Sequence, residues 1–258
     1  MSEHFGDLTI QWGDDLEFLG MNIHIDRKNK HIKITMKKHL FEAIEMFGED
    51  LRSGVTSPAY KDIFTTYDDI SDQLGSKQSE IFHSVTAKLL YITKRARPDL
   101  ETAISYLTTR VSKSNNRDWY KLKRVLSFIK ETIDDPRIMG AASLHDLITW
   151  IDASYAVHPN MRGHTGGVMS YGKGVVHARA GKQKLNVKSS TECEIVGVSE
   201  YMPFNIWQML FMEAQGYPLH QNVLFQDNQS AIRMEKNGCN SCTGNSRHVN
   251  IQYFFVKD

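Results

Sequence analysis

Three acidic residues stand where the sequence pattern ends two strands and begins a helix. Asp152 directly follows a short apolar strand, and Asp227 follows a second one after a single intervening glutamine. Glu194 lies in the first turns of a helix that is predicted to begin near Ser189 or Ser190. Aspartates at the ends of central parallel strands point into the crevice where α/β folds place their chemistry. The sequence therefore predicts that these three carboxylates converge.

Converging carboxylates repel one another strongly unless cations neutralise them. Hard oxygen ligands suit Mg²⁺, with Mn²⁺ as an alternative. Two such ions about 4 Å apart form a clamp that hydrolyses phosphodiesters, because one activates the attacking water and the other stabilises the leaving 3′ oxygen. Each acid alone has a plainer interpretation, as a helix cap or a complement to a helix dipole. The prediction of a two-ion site, with no small-molecule cofactor beyond metal, therefore depends on all three together.

Length and composition narrow the class of protein. The chain has 258 residues, of which 41% are hydrophobic, enough for one large domain or two smaller ones. Its net charge of +1 carries no information about nucleic acid, so any basic surface must be local. Three cysteines, no apolar leader and no stretch of about 18 apolar residues predict an intracellular protein, cytoplasmic or nuclear, with no membrane partner.

The first part of the chain has the pattern of a small α+β unit, which we assign to residues 1–50. Apolar residues alternate along 18–25 and again along 31–35, with a polar turn between them. This pattern predicts a β-hairpin. Helical spacing follows along 40–47.

Three further blocks follow along the chain. Residues 51–80 have the composition of a linker. Residues 81–140 keep helical spacing, with Pro98 in the first turn of a new helix. Residues 144–258 alternate between strands and helices, which predicts a mixed α/β sheet with flanking helices.

A cluster of cations lies in the helical block. Eleven lysines and arginines fall between Lys88 and Lys130, against three acids. The cluster is either a solvated helix face or a surface that follows a phosphate backbone by releasing its counterions. The candidate nucleic-acid-binding residues are Lys94, Arg95, Arg97, Lys121, Arg124 and, near the third acid, Asn228.

Two short motifs suggest other chemistry that their surroundings do not support. Thr66-Tyr67-Asp68-Asp69 contains the paired aspartates of polymerases, but position 66 is not tyrosine and the flanks are linker-like. Cys239 and Cys242 mimic zinc spacing with His248, but a fourth ligand at sensible spacing is absent from the sequence. We therefore predict neither a polymerase centre nor a zinc site.

Several motifs resemble those of copia-type LTR retrotransposon Pol polyproteins. Ser189-Ser190-Thr191-Glu192-Cys193-Glu194 is similar to their Ser-Ser-Thr-Glu-Ala-Glu-Tyr motif in the ribonuclease H region. The segments that resemble other motifs of that region are 150–155 with 165–169, 225–232 and 245–251. Residues 18–21 are similar to the strand after the polymerase active site, and residues 88–100 resemble the connection segment.

The resemblance implies a fold and a context. Residues 144–258 are expected to form a ribonuclease H-like mixed five-stranded sheet with flanking helices. Residues 1–50 are expected to be a reverse-transcriptase remnant, and residues 81–140 a helical connection segment. The palm strands with the polymerase aspartates would lie before residue 1, so polymerase activity is not expected. The rest of the Pol polyprotein is the expected partner, within a retroelement particle.

The helix motif offers two glutamates. Glu192 and Glu194 lie about 200° apart around a helix, so both cannot face the metals. In ribonucleases H, the metal-binding Glu is followed by a short apolar run with a small residue three positions on. Ile195-Val196-Gly197 follows Glu194 in this way, so we favour Glu194 as the metal ligand and keep Glu192 as the alternative. If Glu194 is the ligand, Glu192 is expected to be a capping or solvent-side residue.

The resemblance also implies a fourth carboxylate and a histidine. Ribonucleases H commonly place a mobile His ten residues before the last metal-binding acid, and His248 and Asp258 have this spacing. Asn250 stands where many copia-type sequences carry Asp. We therefore expect Asp258 as a ligand and His248 as a proton shuttle or an aid to product release. The alternative for His248 is a surface histidine.

The implied reaction is Mg²⁺-dependent endonucleolytic cleavage of the RNA strand in an RNA–DNA hybrid, leaving 5′-phosphate and 3′-hydroxyl ends. Asn228, Gln229, Ser154 and Asn186 are candidates for contacts to the hybrid. Two alternatives stay open: a catalytically inactive nucleic-acid-binding remnant, and a DNA-cutting integrase with the same fold. The connection-like segment and the Glu on the first helix argue against the integrase.

Overall fold

The computed structural model of the chain describes residue 6, residues 9–66 and residues 72–237. Those residues form two β-sheets, each packed against helices, so the chain is mixed α/β as predicted. Within the described ranges, every helix is too short or too polar to cross a membrane.

The first sheet begins with a meander in the first block. Its strands and the helix after them are β1 (Asp15–Phe18), β2 (Met21–Asp26), β3 (His31–Thr35) and α1 (Lys37–Phe47). Neighbouring strands pair antiparallel. The predicted β-hairpin is confirmed by the pairing of β2 with β3. Its first strand begins at Met21 and not at Phe18, because a tight turn at Leu19 and Gly20, with φ angles of 50° and 75°, separates β1 from β2.

Two later strands complete this sheet. They are β4 (Arg137–Ala141) and the two-residue β7 (Gly172–Lys173). The strand order is β1-β2-β3-β4-β7, antiparallel throughout. Gly174 permits the close approach after β7, because a Cβ there would lie 2.0 Å from the carbonyl oxygen of Ile138.

The helical block packs on the first sheet. It comprises α2 (Ser76–Thr93), a 3₁₀ turn (Pro98–Leu100), α3 (Glu101–Thr108) and α4 (Asn116–Glu131). Helix α2 thus begins inside the stretch predicted as a linker. The apolar faces of these helices join Phe47 of α1 and Ile34 of β3 in a first core, with Phe82, Leu89 and Leu122 fully buried.

The second sheet belongs to the last block. Its strands are β5 (Asp146–Ser154), β6 (His164–Ser170), β8 (Val175–Lys182) and β9 (Gln221–Phe225). The order is β8-β6-β5-β9, and only the pairing of β5 with β9 is parallel. The resemblance implies five strands here, and four lie among the described residues.

Two helices accompany the second sheet. They are α5 (Ser190–Ala214) and α6 (Gln229–Asn237). Helix α5 covers one face and forms a second core, in which Val198 and Tyr201 meet Leu147, Ile151 and Met169. The alternation of strands and helices predicted for this block is confirmed among its described residues.

A buried pair of histidines lies where the first core packs against the second sheet. His158 is 2% exposed and His164 4% exposed, and their Nε2 and Nδ1 atoms lie 3.0 Å apart. Phe64 and Tyr106 of the first core pack against the pair. Burial, with help from Lys182, lowers the pKa of His158 to about 4. Burial and the neighbouring His158 lower the pKa of His164 to about 3.

We expect the free energy of unfolding to fall as the pH drops below about 6.5. Both imidazoles have folded-state pKa values below the ordinary 6.5, so only the unfolded chain takes up these protons in that range. Each histidine then lowers the free energy of unfolding by about 1.4 kcal/mol per pH unit, until the pH reaches the pKa of that histidine in the folded protein. Urea unfolding at pH values between about 7 and about 5 measures this slope.

The dependence of the free energy of unfolding on pH is assigned to the buried histidine pair if its slope is shallower in the His158→Gln, His164→Gln double variant. His83→Gln, which changes an exposed histidine of α2, should keep the wild-type slope. A double variant with the wild-type pH dependence would refute the assignment.

Candidate metal centre

The candidate centre lies where β5 and β9 run side by side to the same edge of the second sheet. Their parallel register sets Trp150 opposite Phe225, so Asp152 and Asp227, two residues further along each chain segment, emerge together. Strand β5 continues past Asp152, whose side chain is exposed while its neighbour Ile151 is buried in the second core.

The third acid arrives from the first turns of α5. The helix begins after Ser189, whose Oγ accepts a hydrogen bond from the backbone N–H of Glu192 at 3.2 Å. Gly197, about one turn after Glu194, lets the helix approach the sheet closely: a Cβ added there would lie 3.2 Å from the Cβ of Ala153. The small side chain at this position thus allows Glu194 to reach the sheet edge.

The structure brings the three predicted acids together. Carboxylate oxygens of Asp152, Glu194 and Asp227 all lie within 4.8 Å of one another. The two aspartates are exposed, and Glu194 is 6% exposed. Such a set of oxygen atoms matches the donor preference of hard divalent cations such as Mg²⁺ and Mn²⁺.

The electrostatics of the cluster centre on Glu194. Burial raises its pKa to about 7, and the charges of Asp152 and Asp227 act in the same direction. A hydrogen bond from Gln226 Nε2 to Glu194 Oε2, at 3.0 Å, partly offsets these effects. A divalent cation among the three carboxylates would favour their ionised forms and remove the repulsion.

Glu192 occupies a different place at the start of α5. Its Oε2 accepts a hydrogen bond from the backbone N–H of Lys188 at 2.8 Å, and its own N–H is held by Ser189. The side chain is buried at the helix N-terminus, as a capping residue would be. The structure therefore groups Glu194, and not Glu192, with the two aspartates.

The polar residues predicted to contact the hybrid fall in several places. Asn228 lies next to Asp227, where its Oδ1 accepts a hydrogen bond from the N–H of Ala231 at 3.0 Å and caps α6. Gln229 begins that helix and Ser154 ends β5. Asn186 donates to a loop carbonyl oxygen, that of Asn160, at 3.2 Å. His248 and Asp258 lie outside the described residues, as do Cys239, Cys242 and most of the 66–69 motif.

The cations predicted to bind nucleic acid make internal contacts. Lys94 forms an ion pair with Glu101, and the Arg95 guanidinium lies 3.7 Å from the ring centre of Tyr91. Arg97 is 3% exposed, and its guanidinium is bonded to Asp99 and to Thr132 at distances of 2.7 to 3.2 Å. Arg97 therefore faces the interior.

Two further cations contact the segment 60–65, which precedes α2. Lys121 Nζ donates to the carbonyl oxygens of Ile63 at 2.8 Å and Thr65 at 2.6 Å. The Arg124 guanidinium lies 3.5 Å from the ring centre of Tyr60. The local excess of positive charge is also reduced by acids from α1 and the residues after it, since Glu42 pairs with Lys88 and Glu49 with Lys123. Much of the cationic cluster is thus structural.

Two residues near the centre were missed by the sequence interpretation. Gln226 orients Glu194, and its position just before Asp227 was a signal that could have been used. Glu235, two helical turns after Asp227, has a pKa raised to about 7 by burial and by the charge of Glu194. Nothing in the sequence alone indicated its proximity to α5.

The fold and the cluster place the chain among mixed α/β proteins with converging acids at a sheet edge, and its relatives identify it further. It is 23% identical over 266 residues to the Retrovirus-related Pol polyprotein from transposon TNT 1-94 of Nicotiana tabacum, covering 98% of this chain and 20% of that protein. It is 26% identical over 181 residues to the Retrovirus-related Pol polyprotein from transposon RE2 of Arabidopsis thaliana, covering 69% of this chain and 12% of that protein.

The chain belongs to the family of retrovirus-related Pol polyproteins from transposons. It spans a fifth or less of the length of these two relatives. Over 125 residues it is also 30% identical to secreted RxLR effector protein 161 of Plasmopara viticola, covering 48% of this chain and 88% of that protein, and over this stretch the two chains belong to one family. No protein-family model matches the chain, and no solved structure matches it.

We expect Glu194→Gln to weaken Mn²⁺ binding by more than about 10-fold, because it removes a charged oxygen ligand from the cluster. Glu192→Gln keeps the cluster intact and should bind Mn²⁺ as wild type does, with a small loss of stability from the weaker cap. Isothermal titration calorimetry at about pH 8 measures both. Equal losses in the two variants would contradict the assignment of Glu194.

Proposed function

We propose that residues 144–258 form a ribonuclease H-like domain that cleaves the RNA strand of RNA–DNA hybrids with two Mg²⁺ ions. The observation that carries the proposal is the convergence of Asp152, Glu194 and Asp227 from three elements far apart in sequence. Carboxylates gathered this closely are costly unless cations lie among them, and a pair of hard cations is the clamp used in phosphodiester hydrolysis. Membership of the Pol polyprotein family supports an enzymatic context.

The order of strands supports the same fold. An antiparallel meander runs β5-β6-β8, and the chain then returns through α5 to place β9 parallel to β5 on its other side. The first strand and the parallel strand each bring one aspartate to the centre, and the intervening helix brings the glutamate. The resemblance to ribonuclease H implies a mixed sheet with flanking helices and these three acids, and the observed strand order is compatible with it.

The proposal extends to the remaining blocks of the chain. We assign residues 1–50 to the end of the reverse transcriptase, 51–80 to a linker and 81–140 to the connection segment. One core joins all three, since Ile34, Ile63 and Phe82 are buried in it together. The assigned boundaries thus mark sequence segments within one packed unit.

In this proposal Asp152, Glu194 and Asp227 hold the cations, and Gln226 orients the buried carboxylate. When bound, the two ions supply an activated water and stabilise the charge on the leaving oxygen. Gln226 donates to one oxygen of Glu194, which fixes the rotation of that carboxylate. Asp258 as a fourth ligand and His248 as a proton carrier complete the proposed set.

The proposed partners are an RNA–DNA hybrid and the rest of the polyprotein, within an intracellular retroelement particle. The proposed contacts to the hybrid backbone come from Lys94, Arg95, Lys121 and Arg124. These side chains would contact the hybrid through the surface that stays exposed beside their internal contacts. Asn228, beside Asp227, is the candidate nearest the proposed reaction. Arg97 is better assigned to the fold than to the hybrid, because its guanidinium is buried in an ion pair.

We expect the full chain to cleave a labelled RNA–DNA hybrid in Mg²⁺ and to leave 5′-phosphate and 3′-hydroxyl ends. Asp152→Asn and Asp227→Asn should each reduce the rate by more than about 100-fold, because each removes a charged ligand of the clamp. Gel analysis of the end-labelled RNA strand, with and without Mg²⁺, measures the effect.

Glu192→Gln serves as the matched acid-to-amide control and should retain cleavage. Equal rates for wild type and Asp152→Asn would refute the nuclease proposal. Hybrid binding without cleavage in wild type would favour the inactive remnant, and cleavage confined to duplex DNA would favour the integrase.

A further inference from the structure

Helix α5 carries a stripe of apolar residues on the side that faces away from the second sheet. Its members recur at intervals of three and one residues along the second half of the helix: Pro203, Ile206, Trp207, Leu210, Phe211 and Ala214. All six are exposed, and Trp207 and Leu210 are the most exposed of the large ones, at 61% and 55%. We call these six residues the α5 stripe.

The stripe lies opposite the face that holds α5 on the sheet. On that face Tyr201 and Met212 are buried in the second core, and Asn205 donates to Thr149 Oγ1 of β5 at 2.8 Å. At 3.6 residues per turn, the positions of the stripe point away from these contacts. Helix α5 is therefore apolar on two sides, which is typical of a helix that is covered on both.

The stripe has the properties of a docking surface. Trp207 and Phe211 stack on each other, with ring centres 5.2 Å apart and planes 12° apart, so the two rings form one broad apolar surface. None of the six residues is charged, so the surface offers no ion pair to a partner. Contiguous exposed apolar patches of this kind mark places where other segments or proteins bind.

The chain itself contains a run of residues that matches the stripe. Residues 249–256 read Val-Asn-Ile-Gln-Tyr-Phe-Phe-Val, with six apolar residues, three of them aromatic, and no charge. The run lies outside the described residues, which end at Asn237. Burial of apolar side chains is the main favourable term in folding, so this run requires an apolar partner as much as the stripe does.

The run can reach the stripe from the side of α5. The described chain ends in α6, which packs beside α5, where Ile232 lines the same small space as Val198 and Met202. Met202 directly precedes the first residue of the stripe. The eleven residues between Asn237 and Val249 span up to about 40 Å when extended, more than the stripe's length of about 17 Å.

We propose that residues 249–256 pack along the α5 stripe as a third layer over the second sheet. Attachment to the same chain holds the run near the stripe at an effective concentration of about 1 mM, which favours it over a second copy of the chain. Its aromatic residues then pack against Trp207 and Phe211, and one contact buries both apolar surfaces.

The inference goes beyond the proposed nuclease function and bears on one of its residues. Pro203, the member of the stripe nearest to Glu194, follows it by nine residues, or about 13 Å along the helix. Asp258 follows Val256 by two residues. A run held along the stripe therefore keeps Asp258 away from the three carboxylates, so this inference and the proposed ligand role of Asp258 are alternatives.

The first test measures the exposure of Trp207 in the full chain. Its four tryptophans are labelled with 5-fluorotryptophan, and Trp207→Phe identifies the Trp207 signal in the ¹⁹F NMR spectrum. A paramagnetic solute should leave this signal sharp in the wild type and broaden it in the Phe254→Ser, Phe255→Ser double variant. The signal of Trp12, whose residue is 87% exposed, is the control and should broaden in both proteins.

Three results of this test overturn the inference. The first is a Trp207 signal that the solute broadens in the wild type. The second is protection that disappears on dilution, because a second copy of the chain would then cover the stripe. The third is protection that persists in the double variant, because another segment would then be the cover.

The second test identifies the partner of the stripe without weakening the contact. Phe211 is replaced by p-benzoylphenylalanine, the full chain is irradiated at a concentration where it is monomeric, and crosslinked peptides are identified by mass spectrometry. We expect crosslinks to residues 249–256 of the same molecule. The same group in place of Phe41, which is 52% exposed on α1, is the matched control and should not reach the run. Crosslinks from position 211 that miss the run refute the inference.

Mn²⁺ binding separates this inference from the nuclease proposal. Asp258→Asn should leave the affinity for Mn²⁺ unchanged, because the run holds that residue away from the ions. Weaker binding would assign Asp258 to the metal centre and overturn the inference, while the nuclease proposal would stand. A chain that fails to cleave hybrids but covers Trp207 with this run keeps the inference and loses the nuclease function.

Discussion

The parallel pairing of β5 with β9 is the contact on which the candidate centre depends. Every other strand pair in the described chain is antiparallel, and an antiparallel partner would carry its following residues to the opposite edge of the sheet. The long crossover through α5 makes the parallel pairing possible. Because the same helix starts beside that edge, the connection that pairs the strands also delivers Glu194.

Bringing the three carboxylates together costs free energy, which the rest of the fold must offset. Glu194 is buried beside two aspartates, and its pKa is raised to about 7 mainly by burial and further by the charges of Asp152 and Asp227. The second core holds α5 in place through Val198 and Tyr201, and a hydrogen bond from Gln226 reduces the penalty. The second sheet is also tied to the first sheet, since Arg137 of β4 donates to carbonyl oxygens of Val175 and Val176 in β8.

Much of the second sheet could be predicted from the sequence because its apolar strands and helices are bounded by clear polar turns. The positions of Asp152 and Asp227 followed from those boundaries. The division of the first predicted strand was missed, since it depends on backbone angles at Leu19 and Gly20. The structural role of Arg97 and Lys121 was missed for another reason: their partners lie in segments whose proximity a linear pattern does not reveal.

Crystals of the chain grown with Mn²⁺ test the central claim, which is that these three carboxylates form a two-cation site. Anomalous scattering would locate the ions directly. The account predicts two Mn²⁺ ions about 4 Å apart, each bound by oxygen atoms of Asp152, Glu194 or Asp227. No bound ion among these residues at saturating Mn²⁺, or ions held elsewhere in the chain, would contradict it.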